Sequence, residues 1–324
     1  MTSLPIVYAP GPASRRARVI HFIANLLLAR ILIRALTTAE FEATSLRIER
    51  VGRRVNRIAR LQRVRPYRRF RLVADNWNGL PVESVSLLNL PASTTNGVIL
   101  YFHGGGFVLG DLNTHIHAVA TLTRVTKLPV VHVEYRQYPE VDLATSIQDC
   151  LGAYRHLLGQ GIDPEKVIIA GDSAGGFLAF ATAQRAPENG LPTPAGVVGI
   201  SPLLELHNTA RCAHPNARTD VFGISTVLPV LSDRICPGAD LAQLEPMSGP
   251  MDAMPPSLIL VSASEALLSD AARMQEKLIQ AGRTCEVAAW PRQLHAFPAI
   301  FPGLPESRQA YARIARFISE CLAR

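Results

Sequence analysis

The sequence predicts an α/β fold whose central sheet is mostly parallel and is covered by helices on both faces. Two observations predict it. From about residue 68 onward, short apolar runs rich in β-branched residues alternate with longer helical patterns. Hydrophobic residues make up 48% of the 324-residue chain and charged residues only 18%, which indicates a well-filled globular core. At this length, such a fold often forms one domain with an elaborated cap.

Eight strands are predicted in chain order. The first two are joined through Asn78-Gly79, a pair typical of the tight turn in an antiparallel hairpin. The other six are the apolar runs that alternate with helices, as in a parallel sheet. The predicted strands are Phe70–Trp77, Pro81–Leu88, Val98–Phe102, Pro129–Tyr135, Val167–Ala170, Val197–Ser201, Ser257–Ala263 and Cys285–Trp290.

Five helices fit between or after these strands. Asp163-Pro164 precedes the fifth strand and Gly282 follows the fourth helix, and both are residues that commonly mark boundaries. The predicted helices are approximately Thr114–Lys127, Leu143–Leu158, Ala174–Ala186, Leu267–Ala281 and Glu306–Ala323.

Two segments do not fit the alternation of strands and helices. Residues 1–67 are rich in arginine, and residues 204–256 are rich in Pro, Gly and short polar interruptions. The first segment precedes the sheet and the second follows its sixth strand, so a cap can be built from both. We therefore expect an N-terminal helical cap segment at 1–67 and an α/β domain at 68–324, with residues 204–256 contributing to the cap.

The formal charge of +7 is unevenly distributed along the chain. Residues 1–71 contain 16 arginines and three glutamates, whereas residues 72–324 contain 17 basic and 23 acidic residues. The arginines alternate with Leu, Ile and Val at helical spacing, which favours amphipathic helices with a solvated arginine face over a nucleic-acid-binding arm. Weak contact of this arm with a membrane surface or a lipid substrate remains an open alternative.

Val19–Leu36 is the apolar stretch that comes nearest to a membrane span. Arg30 and Arg34 interrupt it well short of the ~20 apolar residues that a span needs, so we expect no transmembrane helix here. The apolar run ends without a small-residue cleavage site, although Arg15-Arg16 faintly resembles a twin-arginine signal. These features favour a cytoplasmic protein.

The cysteines agree with that location. They are scattered, odd in number and contain no Cys-x-x-Cys pair, which indicates reduced thiols rather than a disulfide framework or a cysteine zinc site. His115, His117 and His132 do not combine with acidic residues into a metal-binding pattern, so no metal or cofactor is expected. The five cysteines are Cys150, Cys212, Cys236, Cys285 and Cys321.

The hexapeptide Gly171–Gly176, sequence GDSAGG, directly follows the predicted strand Val167–Ala170. It contains the Gly-x-Ser-x-Gly pattern in which a serine occupies a strained strand-to-helix turn and projects from the end of the sheet. The helix that begins there directs free backbone N–H groups to the same place, which favours negative charge on a substrate oxygen. Ser173 is therefore a candidate nucleophile, and Asp172 is interpreted as structural.

A second glycine-rich loop, His103-Gly104-Gly105-Gly106, follows the third predicted strand. Acyl transfer needs donors that converge on the oxyanion of a tetrahedral intermediate, and glycine allows main-chain N–H groups to approach without a Cβ. In α/β-hydrolases such a loop forms the oxyanion hole together with the N–H that follows the nucleophile, here that of Ala174.

A serine nucleophile also needs a base and an acid, and this fold orders them as Ser, then acid, then His. His295 follows the last predicted strand by five residues, where a loop can return it to the sheet edge. Glu265 comes directly after the seventh strand, as an acid that orients the histidine should. Asp270 is the alternative acid, but it falls a turn inside the next helix, where it is expected to cap the helix or face solvent.

These motifs resemble the bacterial hormone-sensitive lipase family of α/β-hydrolase esterases, from about residue 70 to the C-terminus. The resemblance is carried by the His103–Phe107 loop, the Gly171–Gly176 turn and Glu134–Glu140, sequence EYRQYPE, which is similar to the family's Asp-Tyr-Arg-Leu-Ala-Pro-Glu. It implies an α/β-hydrolase fold with a helical cap. It also implies that His103 supports the glycine loop and is not a base.

The same resemblance assigns roles to the candidate site residues. It implies Ser173 as nucleophile, His295 as base, and an oxyanion hole formed by Ala174 with two of Gly104, Gly105 and Gly106. At the acid position the family often has Asp-Pro-Leu. The departure here to Glu265-Ala266-Leu267 resembles a subgroup that uses glutamate.

The expected function is that of a serine carboxylesterase with a Ser-His-Glu triad, acting on short- to medium-chain acyl esters through an acyl-enzyme. One alternative is a lipase or an amidase of the same fold that acts on lipid aggregates. Another is a non-catalytic ligand-binding homologue, against which the presence of His295 argues. The sequence leaves a homodimer open.

Overall fold

Nine strands form one sheet in the computed structural model, which describes residues 5–25, 69–90 and 93–324. Their order across the sheet is β1-β9-β8-β7-β6-β4-β5-β3-β2, and β3 alone runs in the direction opposite to the other eight strands. The bounds are β1 Val7–Tyr8, β2 Phe70–Trp77, β3 Leu80–Leu87, β4 Val98–Phe102, β5 Val130–Val133, β6 Val167–Asp172, β7 Gly196–Ile200, β8 Ser257–Ser262 and β9 Cys285–Trp290.

The mostly parallel α/β sheet predicted from the sequence is confirmed. All eight predicted strands are present with bounds shifted by at most a few residues, but the count of eight is one strand short. The additional strand is β1, whose Val7 and Tyr8 pair in parallel with Ala288 and Ala289 at the edge of the sheet. Two residues are too few to produce the alternation by which a strand is recognised.

Nine helices have bounds within the described residues, and residues 15–25 are also helical. The five predicted helices correspond to α1, α2, α3, α7 and α9, and the other four are short or lie in the segment that lacked a clear pattern. The bounds are α1 Ile116–Thr126, α2 Leu143–Gly159, α3 Ala174–Arg185, α4 Thr209–Ala213, α5 Ile224–Ile235, α6 Leu241–Leu244, α7 Leu268–Gln280, α8 Phe297–Ile300 and α9 Pro305–Leu322.

Local residue chemistry sets several of these boundaries. Asp142 precedes α2, and its carboxylate accepts the backbone N–H of Thr145, which satisfies one of the free donors of the first turn. Asp163 caps a short 3-10 helix at Pro164–Lys166 in the same way. Gly282 follows α7 with φ of 73°, a conformation that glycine adopts without a steric penalty. Two of these boundary residues, Asp163 and Gly282, were predicted.

Helices cover both faces of the sheet. Leu100 and Phe102 of β4 face a core built with α2, α3 and α7, whereas Ile99 and Tyr101 face a second core built with α1 and α9. Because both faces are covered, the central strands are buried along their whole length. This explains why they read as continuous apolar runs, and it leaves the strand ends and their loops to carry the polar site.

The predicted cap segment at residues 204–256 contains α4, α5 and α6 joined by turns. Of the N-terminal cap segment predicted at residues 1–67, residues 1–4 and 26–67 lie outside the described part of the chain, so the domain division stays a prediction. In the described ranges, no helix combines the length and the apolar character needed to cross a membrane. All five cysteines are free, and four of them are buried.

Candidate active site

Ser173 occupies the turn between β6 and α3 with φ of 54° and ψ of −118°, a backbone conformation that costs roughly 1–3 kcal/mol for a residue with a side chain. Its N–H donates to the carbonyl of Ile200 at 2.9 Å, which ties the turn to the neighbouring strand. A Cβ at Gly171 would collide with the carbonyl of Gly175, and a Cβ at Gly175 would collide with that of Phe102. The glycines of the motif are therefore required by packing around the serine.

A continuous hydrogen-bonded chain joins the three residues predicted from chain order. The Nε2 atom of His295 lies 2.8 Å from Ser173 Oγ, and its Nδ1 atom lies 2.7 Å from Glu265 Oε2. His295 and Glu265 are 8% and 2% exposed, so both contacts are shielded from bulk water. The structure brings together all three residues, although 122 positions separate Ser173 from His295.

Two serines that the sequence did not point to hold the carboxylate of Glu265. Its Oε1 atom accepts the Ser201 hydroxyl and the Ser262 backbone N–H, both at 2.6 Å. The Ser201 hydroxyl in turn accepts the N–H of Ala296, the residue after His295, at 3.0 Å. Ser201 therefore connects the acid with the loop that carries the histidine. The sequence feature that could have pointed to Ser201 is its position directly after β7, the strand next to the one that leads to Ser173.

The environment of His295 changes its proton affinity. Burial lowers the pKa of His295, but the hydrogen bond and charge of Glu265, together with the charges of Asp220 and Asp172, outweigh it and the pKa is raised. A ring that can accept a proton from a serine hydroxyl must be neutral at the start. The same interactions that raise the pKa of His295 stabilise the imidazolium that forms after that transfer.

Asp270, the alternative acid, does not contact His295. The expectation that it caps a helix or faces solvent is wrong, because it is 0% exposed and pairs with the equally buried Arg211 at 2.6 Å. It also accepts the backbone N–H of Leu204 at 3.1 Å. Burial, opposed by Arg211, raises the pKa of Asp270 to about 6. Asp270 thus belongs to the attachment of the cap segment to α7.

The glycine loop lies beside Ser173, and its first glycine is tied to the serine turn. The Gly104 N–H donates to Asp172 Oδ1 at 3.0 Å, and a Cβ at Gly104 would collide with the same carboxylate. Within the described part of the chain, no hydrogen bond uses the N–H groups of Gly105, Gly106 or Ala174. These three donors are therefore free to bind a ligand oxygen.

Asp172 is the buried centre of this attachment. Besides Gly104, its carboxylate accepts the Tyr101 hydroxyl at 2.7 Å and lies 3.3 Å from His115 Nε2. His103 Nδ1 lies 2.9 Å from the Gly104 carbonyl, and its ring stacks on Tyr135 at a centroid distance of 4.5 Å. Burial lowers the pKa of His103 to about 4, so this ring is neutral. Both residues are in contact with the glycine loop, as their predicted supporting roles require.

Residues of the predicted cap segment 204–256 lie close to His295 and to the glycine loop. The ring of Phe222 contacts that of His295 at a centroid distance of 5.5 Å. A Cβ at Gly106 would lie 3.4 Å from the end of the Leu231 side chain in α5. Ala24, in the helical residues 15–25, packs in one cluster with Leu294 and with cap residue 221.

The site combines a serine hydroxyl, an imidazole and a carboxylate in one hydrogen-bonded chain beside three main-chain N–H groups that donate to no other described residue. Among residues 5–25, 69–90 and 93–324, no group of three or more His, Cys, Asp or Glu side chains is placed to hold a metal ion. The chemistry that the described groups can perform is acyl transfer through a serine.

Comparisons with known proteins agree with this geometry. Residues 99–299 match the Abhydrolase_3 family, described as an alpha/beta hydrolase fold. Esterase LipU of Mycobacterium tuberculosis is 38% identical over 253 residues, which cover 74% of this chain and 85% of LipU. Carboxylesterase/phospholipase LipF of the same organism is 36% identical over 256 residues, covering 75% of this chain and 68% of LipF.

Solved structures give the same result. A crystal structure of EstE5 soaked with p-nitrophenyl butyrate is 28% identical, with a TM-score of 0.79, covering 93% of this chain and 99% of EstE5. An esterase from the bacterial hormone-sensitive lipase family is 26% identical, with a TM-score of 0.78, covering 93% of this chain and 98% of that one.

Proposed function

Since the chain belongs to the α/β-hydrolase fold family and, within it, to the esterases of the bacterial hormone-sensitive lipase family, we propose that Ser173, His295 and Glu265 form its catalytic triad. The protein is a carboxylic ester hydrolase. The observation that carries the triad is the continuous hydrogen-bonded chain from the serine hydroxyl through the imidazole to the glutamate.

In the first half of the reaction, His295 Nε2 takes the proton of the Ser173 hydroxyl as its Oγ attacks the ester carbonyl. The tetrahedral intermediate collapses when the imidazolium donates that proton to the leaving alcohol. In the second half, a water molecule gives a proton to His295 Nε2 as its oxygen attacks the acyl carbonyl. The imidazolium then returns this proton to Ser173 Oγ as the carboxylic acid product leaves. Glu265 stays ionised throughout, holds the imidazole tautomer, and stabilises the imidazolium.

The oxyanion of both tetrahedral intermediates would accept the N–H groups of Gly105, Gly106 and Ala174. Gly104, the remaining glycine expected from the sequence, already donates its N–H to Asp172. Its proposed contribution is to fix the loop rather than to bind the oxyanion. Free main-chain donors held in place before the reaction are the arrangement that stabilises a developing negative charge most effectively.

Short- to medium-chain acyl esters are the proposed substrates. EstE5, which resembles this chain along almost its whole length, was soaked with the four-carbon ester p-nitrophenyl butyrate. Phe222 and Leu231 lie close to His295 and Gly106, so the cap limits the space beside the nucleophile. In a series of p-nitrophenyl esters from acetate to palmitate, we expect kcat/KM to be greatest among the short and medium chains. A maximum at palmitate would contradict this preference.

A lipid ester is the second candidate substrate. LipF carries the name carboxylesterase/phospholipase. In the helical residues 15–25 of this chain, Phe22 is 65% exposed and Ile23 48% exposed, near Arg15, Arg16 and Arg18. Such a face can adsorb to an anionic lipid surface. Turnover of a soluble ester, its amide, an emulsified triglyceride and a phospholipid vesicle at equal enzyme concentration would separate the esterase, amidase and lipase proposals.

Replacing the nucleophile tests the mechanism itself. Ser173→Ala should lower kcat by roughly 10⁴- to 10⁶-fold, because it removes the atom that forms the acyl-enzyme. It should also abolish covalent labelling by phenylmethylsulfonyl fluoride, located by peptide mass spectrometry, with unchanged thermal unfolding. The matched control is Ser319→Ala on the exposed side of α9, which should retain both activity and labelling. Labelling at another serine would refute the assignment.

A further inference from the structure

Four hydrogen bonds connect one turn of the cap with the loop that carries Glu265. The loop, called the acid loop here, comprises residues 263–266 and directly follows β8. The cap turn comprises residues 216–222, between α4 and α5. Neither element is within forty residues of the other in sequence, so the contact depends on how the cap folds over the sheet. All four bonds join main-chain groups of the acid loop to side chains of the cap turn.

Asn216 makes two of these contacts. Its Nδ2 group donates to the carbonyls of Ala263 and Glu265, each at 2.9 Å. A single amide group thereby fixes the backbone on both sides of Ser264. The backbone N–H of Asn216 donates to His214 Nδ1 at 3.2 Å, so a second cap residue holds the backbone of Asn216. At the edge of the contact, the Thr219 hydroxyl donates to the Ser264 carbonyl at 3.4 Å.

Asp220 makes the fourth contact and is the charged member of the set. Its Oδ2 atom accepts the N–H of Ala266, the residue after Glu265, at 3.1 Å, and its Oδ1 atom accepts the N–H of Phe222 at 3.0 Å. Phe222 is also the cap residue whose ring contacts His295. One buried carboxylate, 9% exposed, therefore binds the backbone beside Glu265 and the backbone of the residue whose ring contacts His295.

We propose that the cap turn positions the catalytic acid, with Asp220 and Asn216 as the positioning residues that couple the cap to the triad. This inference rests on the proposed function, since it takes Glu265 as the acid. The carboxylate of Glu265 is oriented by Ser201, directly after β7, and by Ser262 at the end of β8, but the backbone from which it projects is held by the cap. A cap that shifts on substrate binding would therefore alter the distance between Glu265 and His295, and with it the activity of the base.

The charges around His295 make the coupling measurable. Glu265, Asp220 and Asp172 act on the ring, and Phe222 packs against it. His214 and Arg218 are further titratable groups of the cap at or beside the turn. The pKa of His295 is lowered by burial and raised by Glu265 and then by Asp220 and Asp172, with a net rise. Burial and the charge of Glu265 raise the pKa of Asp220 itself. Removing the Asp220 charge should therefore lower the pKa of His295 and extend activity to lower pH.

The test compares three cap variants in the full chain, measured with p-nitrophenyl butyrate from acidic to mildly alkaline pH. In Asp220→Asn, the midpoint of the acid limb of kcat/KM should fall by roughly half a pH unit or more, since a nearby buried charge is lost. Its kcat should fall roughly 3- to 10-fold, because an amide cannot accept both N–H groups. Asn216→Ala removes two hydrogen bonds but no charge, so kcat should fall while KM and the midpoint of the acid limb stay unchanged.

Glu245→Gln is the matched control. Glu245 is a cap carboxylate, 2% exposed, that accepts the backbone N–H of Leu206 and does not contact the acid loop. It should leave the acid limb unchanged. An equal shift in this variant would show that cap charge in general is responsible and would refute the inference. Thermal unfolding identifies any variant that does not fold. If Asp220→Asn does not fold, the kcat of Asn216→Ala decides whether the cap turn positions Glu265.

Glu265→Gln distinguishes failure of the inference from failure of the proposed triad. If this variant is inactive while Asp220→Asn and Asn216→Ala keep the wild-type kcat and acid limb, the cap does not position the acid and the inference is wrong. If Glu265→Gln retains activity, the proposed triad is wrong and the inference falls with it. Inactivity of Glu265→Gln together with the expected pattern in the cap variants supports both.

Discussion

The two halves of the proposed active site are held in place by different parts of the molecule. Ser173 and the glycine loop follow neighbouring strands, β6 and β4, and are joined by the carboxylate of Asp172, which lies one residue before the serine. Glu265 and His295 are on loops after β8 and β9, and a turn of the cap holds the backbone beside Glu265. The nucleophile side is thus built by the sheet, whereas the acid side also depends on the cap.

This difference makes the nucleophile side of the site more rigid than the acid side. The sheet side contains main-chain bonds between adjacent parallel strands and glycines that tolerate no side chain, so it has little freedom to move. On the acid side, Ser201 and Ser262 at the strand ends hold the Glu265 carboxylate, whereas the backbone beside it is held by side-chain hydrogen bonds from a cap turn that is distant in sequence. Under the proposed coupling, substrate that contacts the cap turn acts on the second half.

The largest effect expected within this comparison is at the acid. Glu265→Gln should lower kcat by roughly 10³- to 10⁴-fold, because the amide cannot stabilise the imidazolium and can select the wrong imidazole tautomer. The measurement is kcat/KM for p-nitrophenyl butyrate, with circular dichroism to verify the fold. Glu276→Gln on α7 is the control and should match the wild type. A Glu265→Gln enzyme within tenfold of the wild type would contradict the assignment of the acid.

A smaller loss is expected when the sheet side is loosened. Asp172→Asn keeps the shape of the side chain but removes one acceptor and the negative charge that hold Tyr101, Gly104 and His115. If the glycine loop shifts, oxyanion stabilisation weakens, and we expect kcat to fall roughly 10- to 100-fold, less than loss of a whole donor can cost. KM should change little. If only thermal stability falls and kcat is retained, Asp172 supports the fold and not the oxyanion loop.

The same difference explains what could be predicted from the sequence. The Gly171–Gly176 turn and the His103–Gly106 loop are local patterns, because both the strain and the space for main-chain donors are created by adjacent residues. Chain order then located His295 and favoured Glu265 as the acid. The structure places all of these residues together.

The contacts of the cap were not predictable in this way. Residues 204–256 lack a regular hydrophobic period, so nothing in them indicated that Asn216 and Asp220 would meet the acid loop. Asp270 was expected to cap a helix or face solvent because its partner, Arg211, lies 59 residues away. Strand β1 was missed because it has two residues and is recognisable only by its pairing with β9.

The smallest effect on activity is expected at Asp270. This residue distinguishes the contact between the cap and α7 from the contact between the cap and the acid loop. Asp270→Asn leaves the fully buried Arg211 without its counter-charge, and breaking such a pair typically costs about 3–5 kcal/mol of stability. Because Asp270 does not contact His295, kcat below the unfolding temperature should stay within about threefold of the wild type. Denaturant unfolding followed by kcat measurement checks both. A different result would make Asp270 the acid: a loss of kcat as large as that of Glu265→Gln, with no loss of stability. Stability would then not depend on the Arg211 pair, and catalysis would depend on a carboxylate that does not contact His295.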